Sequence, residues 1–244
     1  MKSARKFEPA SGSVDRHDEA AARPIVFVID DDDSVRRGLE RLLRSDGLDV
    51  ECFASAKLFM AREVPDRPAC IVLDLRLPGA SGLEVQENLS RARQDIPIIF
   101  ISGYADVGSS VRALKAGAVD FLQKPLSDQT LLDVVHDALE RARAIRRQRA
   151  EHAVIRARFE QLTPRERDVL RHMLRGLLNK QIASELGISE KTVKFHRGHV
   201  MMKTGAGSLA ELVRDAERIH MDTAPGPSRP GAVRAALPAP HYPT

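Results

Sequence analysis

The first half of the chain alternates between two patterns of hydrophobic and polar positions. Short apolar runs such as Ile25–Ile29 are typical of parallel strands that are buried on both faces. Between the runs, apolar residues recur at spacings of three and four, as at Val35, Leu39 and Leu42, which predicts helices. Since the two patterns alternate strictly over residues 24–140, we expect a doubly wound α/β domain with a five-stranded parallel sheet.

The boundaries of these elements follow from the apolar runs and from flanking breakers such as Gly47. The predicted strands are 25–30, 49–53, 69–74, 97–101 and 118–122. The predicted helices are 34–45, 56–63, 82–92 and 107–116, followed by a last helix that Ser127 caps. A Leu-Pro-Gly-Ala-Ser-Gly segment predicts a loop between the third strand and the third helix.

The remainder of the chain has no strand pattern. Residues 161–220 are helical in pattern and predict a second, all-α domain. Residues 141–160 are dense in Arg, Glu and Ala and predict a charged helical linker that continues the last helix of the first domain. Residues 1–23 and 221–244 carry Pro, Gly and mixed polar residues without periodicity, so we expect a disordered extension at each end.

Cap and turn signals in the second domain predict a helix-turn-helix. Thr163 and Glu166 are spaced as a capping box, and Gly187 and Ser189 separate a second helix from a third. The predicted helices are 164–175, 180–186, 190–203 and 208–219. In a helix-turn-helix, the later helix enters the major groove with its N-terminal half toward the base edges.

The net charge of +4 hides an asymmetry between the two halves. Residues 24–140 carry 13 Lys or Arg against 20 Asp or Glu, whereas residues 141–220 carry 18 against nine. The first region is therefore net −7 and the second net +9. An acidic half joined to a basic half favours a cation site in the first and a polyanion partner for the second.

The composition indicates where in the cell the protein is expected and argues against disulfide bonds and a histidine metal site. No apolar run approaches the ~18 residues of a membrane helix, and residues 1–23 lack an apolar signal region, so we expect a cytoplasmic protein without a membrane partner. Cys52 and Cys70 lie in strand patterns and are expected to be buried, reduced thiols. His196 and His199 lack the spacing of a His-Glu-x-x-His metal site.

Polar side chains stand at the ends of the predicted strands. Asp30 and Asp31 follow the first strand, Asp74 ends the third, Ser102 follows the fourth and Lys124 follows the fifth. Because a parallel sheet binds its ligands beyond the carboxyl ends of its strands, we expect these side chains to converge. Three carboxylates, a hydroxyl and an ammonium can hold a hard cation such as Mg2+ and receive a phosphoryl group on an aspartate.

Some residues near this predicted site, taken one at a time, also fit purely structural roles. Asp32 and Asp33 fit the start of the first helix, where acids favour the helix dipole, and Phe121 taken alone fits the core. The peptide bond between Lys124 and Pro125 is free to be cis or trans on energetic grounds, and the sequence leaves it open.

The polar residues at the strand ends, in this order along the chain, resemble the receiver domain of two-component response regulators. The resemblance covers about residues 24–145. The separations are 43 residues from Asp31 to Asp74, 28 from Asp74 to Ser102 and 50 from Asp74 to Lys124. The resemblance implies a flavodoxin-like fold. It implies that Asp74 is the phosphoacceptor and that Asp30, Asp31, Asp74 and the main-chain carbonyl of Arg76 hold Mg2+. It also makes Lys124 and Ser102 phosphoryl ligands and Phe121 the aromatic switch residue.

The segment Lys115-Ala116-Gly117-Ala118-Val119-Asp120-Phe121 is similar to the NarL/FixJ group in particular. That likeness implies a surface of Val111, Lys115 and Asp120 through which two phosphorylated copies dimerise.

Residues 161–219 resemble the LuxR-type helix-turn-helix, on Leu-Thr-Pro-Arg-Glu at 162–166 and Thr-Val-Lys-x-His at 192–196. The resemblance implies that Lys194 contacts DNA and that Lys180 lies near the DNA backbone. The DNA-facing candidates are Lys180, Lys191, Thr192, Lys194, Phe195 and Arg197. Gly198 departs from the pattern, because relatives often carry a longer side chain there.

Together these features predict a transcriptional response regulator that a sensor histidine kinase phosphorylates and that binds promoter DNA as a homodimer, with RNA polymerase as a further partner. An alternative is a phosphatase of the haloacid-dehalogenase type, but that family needs Asp-x-Asp and here Leu75 and Arg76 follow Asp74. Another alternative is a DNA-binding protein that ignores phosphorylation and uses its receiver only to dimerise.

Overall fold

A computed structural model describes residues 23–91, 95–103 and 107–221. The chain divides into two compact units, with the boundary between Gln148 and Arg149. The segments expected to be disordered lie almost entirely outside the described residues. Among the described helices, none combines the length and the apolar character needed to cross a membrane.

The first unit contains a five-stranded parallel sheet with helices between its strands. The sheet strands are β1 (Ile25–Ile29), β2 (Asp49–Phe53), β3 (Ala69–Asp74), β6 (Ile98–Ser102) and β7 (Asp120–Gln123). The helices are α1 (Asp33–Ser45), α2 (Ala56–Met60), α3 (Gly82–Arg91), α4 (Val107–Lys115) and α5 (Asp128–Glu160). The strand order is β2-β1-β3-β6-β7, so the expected doubly wound, flavodoxin-like sheet is confirmed.

The sheet has a buried core on each face because successive side chains of a strand point to opposite sides. Ile25, Phe27 and Ile29 of β1 join one apolar cluster, whereas Val26 and Val28 join the other. Both clusters draw in side chains from the central strands and from the helices that cover them. Burial on both faces explains why the central strands are continuous apolar runs.

Two local expectations differ from the structure. The helix expected at 56–63 ends at Met60. The Pro-Gly loop contains a short antiparallel hairpin, in which β4 (Arg76–Leu77) pairs with β5 (Ala80–Ser81). Gly79 adopts a φ of +80° at this turn, a left-handed conformation that favours glycine.

The second unit is helical. Its helices are the end of α5, then α6 (Pro164–Leu174), α7 (Asn179–Leu186), α8 (Glu190–Thr204) and α9 (Leu209–Arg218). The predicted capping box is present, since Thr163 accepts from the Glu166 backbone and Glu166 accepts from the Thr163 backbone. Ser189 caps α8, and Gly187 ends α7 with a φ of +63°. The helix-turn-helix is thus formed by α7 and α8.

A buried carboxylate joins α6 to α8. Glu166 is almost fully buried, and its Oε2 accepts a hydrogen bond of 2.6 Å from the Lys203 ammonium, while Oε1 lies 3.3 Å from His199 Nδ1. Burial alone raises the pKa of this carboxyl, but the bonds from Lys203 and Thr163 outweigh it and lower the pKa to about 2. Ionised Glu166 therefore stabilises the packing of α8 against α6.

We predict that Glu166→Gln lowers the free energy of opening of the second unit by about 1–3 kcal/mol at pH 7, because the Lys203 ammonium then loses its anionic partner and has only a neutral amide oxygen as acceptor. A carboxyl with a depressed pKa contributes stability above its ordinary value of about 4.5 and loses that contribution as the pH falls toward about 2. The difference between wild type and variant should shrink over this range, measured by native-state hydrogen exchange of α8 amides.

The matched control is Glu211→Gln. Glu211 holds the same third position in α9, yet within the described residues it forms no ion pair. An equal loss in both variants would contradict a special role for the pair between Glu166 and Lys203.

Candidate functional site

The predicted polar side chains meet at the carboxyl edge of the sheet. Asp30 is completely buried directly after β1, and Asp74 is 8% exposed at the end of β3. Lys124 follows β7 and reaches between them, with its ammonium 2.6 Å from Asp30 Oδ2 and 2.8 Å from Asp74 Oδ2. The structure thus brings together groups that are 94 and 50 residues apart in the chain.

Backbone amides fix the other oxygen of each buried carboxylate. The amide of Asp32 donates to Asp30 Oδ1 at 2.9 Å, and the amide of Arg76 donates to Asp74 Oδ1 at 2.9 Å. Each carboxylate therefore has one oxygen held by the main chain and one held by Lys124. Both rotamers are therefore set by contacts within the chain.

Burial and charge oppose each other in this cluster. Burial raises the pKa of the Asp30 carboxyl, and it outweighs the lowering by the hydrogen bond from Lys124. Burial alone lowers the pKa of the Lys124 ammonium, but the hydrogen bonds to Asp30 and Asp74 raise it overall. Lys124 is therefore cationic at neutral pH, and a further cation at the site would favour the ionised form of Asp30.

Three carboxylates are placed to hold a metal ion. One oxygen from each of Asp30, Asp31 and Asp74 lies within 4.8 Å of the others, and Asp31 is exposed to solvent. An all-oxygen donor set with an open side suits a hard divalent cation such as Mg2+, which keeps part of its water shell. Arg76, whose carbonyl was expected as a further ligand, lies in β4 two residues after Asp74.

The expected switch residues lie on the neighbouring strands. Ser102 is 1% exposed at the end of β6, and the Lys124 amide donates to its carbonyl at 2.8 Å. Phe121 pairs in register with Phe100 in the middle of the β6–β7 ladder and is only half-buried. The Lys124–Pro125 bond, which the sequence left open, is cis.

Sequence reasoning missed two residues that shape this edge. Arg36 in α1 donates from its guanidinium to the Asp30 carbonyl at 2.7 Å. Gly82, at the start of α3, leaves no room for a side chain, because a Cβ there would lie 2.8 Å from the Asp74 carbonyl oxygen and 2.9 Å from a ring carbon of Phe100. The closely spaced glycines at 79 and 82 hinted at a tight turn but not at this contact.

The expected dimer surface lies around α4. Val111 and Lys115 are exposed, and Asp120 is half-buried at the start of β7. Leu114, one turn from Val111, is exposed as well, so the apolar side of this helix faces solvent. Among the residues of α4 whose burial is described, Ala113 is the one that is fully buried.

The recognition helix α8 buries Val193 and Val200 and exposes the opposite side. Of the expected DNA-facing residues, Lys180, Lys191, Lys194 and Phe195 are exposed and Thr192 and Arg197 are half-buried. Arg197 follows Val193 by four positions and precedes Val200 by three, which places it beside the buried face of the helix. The hydroxyl of Thr192 pairs with the Ser189 cap at 2.8 Å.

Comparison with known families accounts for both units. Residues 26–136 match the response regulator receiver domain, and residues 160–216 match the bacterial regulatory proteins of the luxR family. The chain belongs to the two-component response regulators of the NarL/FixJ family.

Several named relatives align with this response regulator over most of its length. Nodulation protein W of Bradyrhizobium diazoefficiens is 51% identical over 83% of this chain and 89% of its own. Response regulator protein TodT of Pseudomonas putida is 44% identical over 80% and 86% of the two chains, and transcriptional regulatory protein FixJ of Azorhizobium caulinodans is 44% identical over 78% and 90%. These relatives are transcriptional regulators and not enzymes, so the phosphatase alternative is not supported.

A solved structure has the same architecture. The low-resolution structure of response regulator StyR superimposes with a TM-score of 0.68 at 48% identity and covers 81% of this chain and 100% of that one. A response regulator with these two domains takes its signal from a kinase and regulates transcription through DNA.

We predict that Gly82→Ala destabilises the receiver unit by about 1–3 kcal/mol, because the added Cβ overlaps the Asp74 backbone and the Phe100 ring. Thermal unfolding followed by circular dichroism measures the effect. The control is Gly38→Ala in α1, where a Cβ meets nothing within 4 Å and the change should be neutral or stabilising. Equal stability of Gly82→Ala and wild type would contradict the close packing of α3 on the end of β3.

Proposed function

We propose that a sensor histidine kinase phosphorylates Asp74 of this regulator, and that the phosphorylated form dimerises and binds promoter DNA. The observation that carries the proposal is the Lys124 ammonium, held between Asp30 and Asp74 at 2.6 and 2.8 Å. A cation fixed beside a nearly buried carboxylate is suited to neutralise a phosphoryl group that this carboxylate receives.

The transfer proceeds by attack of a carboxylate oxygen of Asp74 on the phosphorus of a phosphohistidine. The new oxygen–phosphorus bond forms as the nitrogen–phosphorus bond breaks, and the electron pair stays on the imidazole nitrogen of the kinase. Lys124 then pairs with a phosphoryl oxygen, and the Ser102 hydroxyl donates to another. Acetyl phosphate supplies the same group with acetate as the leaving group.

The acidic edge fits Mg2+ through its donor set, since Asp30, Asp31 and Asp74 offer oxygens within 4.8 Å of one another and the Arg76 carbonyl is expected to add another. A bound Mg2+ supplies charge neutralisation for the phosphoryl oxygens. Asp31, which is exposed, is the side chain best placed to bind the ion from solvent.

Phosphorylation is proposed to act as a shift between two populated states. Ser102 moves toward the phosphoryl group, and Phe121 rotates toward the space that Ser102 vacates. These residues lie on β6 and β7, which flank α4. The rearrangement changes the surface of Val111, Lys115 and Asp120, where exposed Val111 and Leu114 provide apolar area that a second copy can cover.

The DNA-binding unit of the dimer then binds twofold related half-sites. Exposed Lys191 and Lys194 on α8, together with Lys180 on α7, are proposed to contact phosphates and base edges, with Thr192, Phe195 and Arg197 beside them. RNA polymerase is proposed as the partner that reads the bound dimer at the promoter.

We predict that millimolar Mg2+ raises the Tm of the wild type by about 2–5 °C and that Asp31→Asn abolishes this rise. Asp31 is exposed, so its amide variant keeps the fold. The control is Asp33→Asn, an exposed acid two residues further along that pairs with Arg36 and Arg37. A Mg2+ response that survives in Asp31→Asn and is lost in Asp33→Asn would place the ion elsewhere.

We predict that acetyl phosphate with Mg2+ raises dimer content and DNA affinity of the wild type about tenfold or more, and that Asp74→Asn shows neither gain. Sedimentation velocity and fluorescence anisotropy with labelled promoter DNA measure the two quantities. If wild type and Asp74→Asn bind DNA equally and ignore the donor, the receiver is a passive module and the phosphorylation-independent alternative holds.

The same assay tests the dimer surface. Val111→Asp should be phosphorylated normally but remain monomeric, because a charge replaces exposed apolar area at the contact. Leu58→Asp makes the same kind of change on α2, at a side chain that is more exposed than Val111, and should dimerise like the wild type. Loss of dimers in Leu58→Asp alone would move the interface to α2.

A further inference from the structure

The outer face of α8 combines an aromatic side chain, a glycine and flanking cations. Phe195 is 60% exposed and Met202 is 69% exposed, on the side of the helix opposite Val193 and Val200. A phenylalanine in this position leaves a large apolar surface in contact with water. Contact with a binding partner would bury this apolar area. Exposed Lys191 and Lys194 lie close to Phe195 on α8, in a unit that is basic overall.

The Phe195 ring packs against a neighbouring histidine ring. Its centroid lies 4.2 Å from that of His199, one turn further along α8, with the planes tilted by 49°. His199 in turn contacts Glu166, which is buried and paired with Lys203. A chain of contacts from the core thus orients an apolar side chain toward the outside, as a preorganised recognition residue requires.

Gly198 leaves the space beside that ring open. A Cβ at this position would meet nothing within 4 Å, so packing within the chain does not require glycine. Glycine is also the poorest helix former after proline, and it stands in the middle of α8. A side chain at this position would project back over the preceding turn, which carries Lys194 and Phe195.

We propose that Phe195 reads the methyl group of a thymine in the major groove, and that Gly198 keeps its ring accessible to the base. This inference rests on the proposed DNA-binding function and names the base class that α8 selects. Double-stranded DNA is the occupant that the surroundings favour, because exposed Lys191 and Lys194 flank the aromatic ring. Apolar contact with the 5-methyl group is the way in which a phenylalanine distinguishes thymine from other bases.

The test uses the full-length protein treated with acetyl phosphate and Mg2+. Binding sites are first selected from a randomised duplex library. Each thymidine of the selected site is then replaced in turn by deoxyuridine, which removes only the methyl group. For the wild type, one replacement per half-site should weaken binding about fourfold, the effect of one buried methyl group.

Three variants separate recognition from folding. Phe195→Ala should bind thymidine and deoxyuridine sites equally, and Gly198→Leu should lose the same discrimination while its Tm equals or exceeds that of the wild type. Met202→Ala, an equally exposed apolar truncation nearer the C-terminal end of α8, should keep the full methyl dependence.

The inference is overturned if the wild type binds a selected site but no deoxyuridine replacement weakens binding, or if Phe195→Ala keeps the wild-type dependence. In either case the proposed function still stands. If the wild type selects no site at all with or without the phosphodonor, the proposed DNA-binding function fails and this inference fails with it.

Discussion

The ammonium of Lys124 between Asp30 and Asp74 is the contact on which the receiver unit depends. Two carboxylates that lie together at the edge of a buried sheet repel each other, and their loss of hydration is costly unless a cation compensates. Lys124 does so from the segment after β7 and thereby joins the ends of β1, β3 and β7 at one point. The two carboxylates are thus held together by one positive charge.

The second unit also neutralises a buried carboxylate with a lysine, but there the pair joins two helices. Glu166 is buried, satisfied by a capping box at α6 and paired with Lys203 at 2.6 Å on α8. The pair fixes the recognition helix against α6, and His199 carries the constraint outward to Phe195. In the first unit the pairing positions two carboxylates at the edge of the sheet, whereas in the second it fixes α8 of the helix-turn-helix against α6.

Helix α4 combines a small buried residue with apolar side chains that are exposed. Its buried contact with the sheet is made by a small residue, Ala113, and Gln86 of α3 donates to its C-terminal carbonyls at Ala113 and Ala116. The apolar side chains of Val111 and Leu114 are left in solvent.

The sequence by itself determined those features that depend on a local signal or on a repeating pattern of apolar residues. The apolar runs of β1 and β3, the Thr163 capping box and the strand-end positions of Asp30, Asp74 and Lys124 were all found in this way, because a strand buried on both faces needs continuous apolar residues. Only the tertiary structure decided which face of α4 packs, that Gly82 has no room for a side chain and that Arg36 reaches the Asp30 carbonyl. Helical periodicity states which residues share a face, but the partner that covers a face comes from a distant part of the chain.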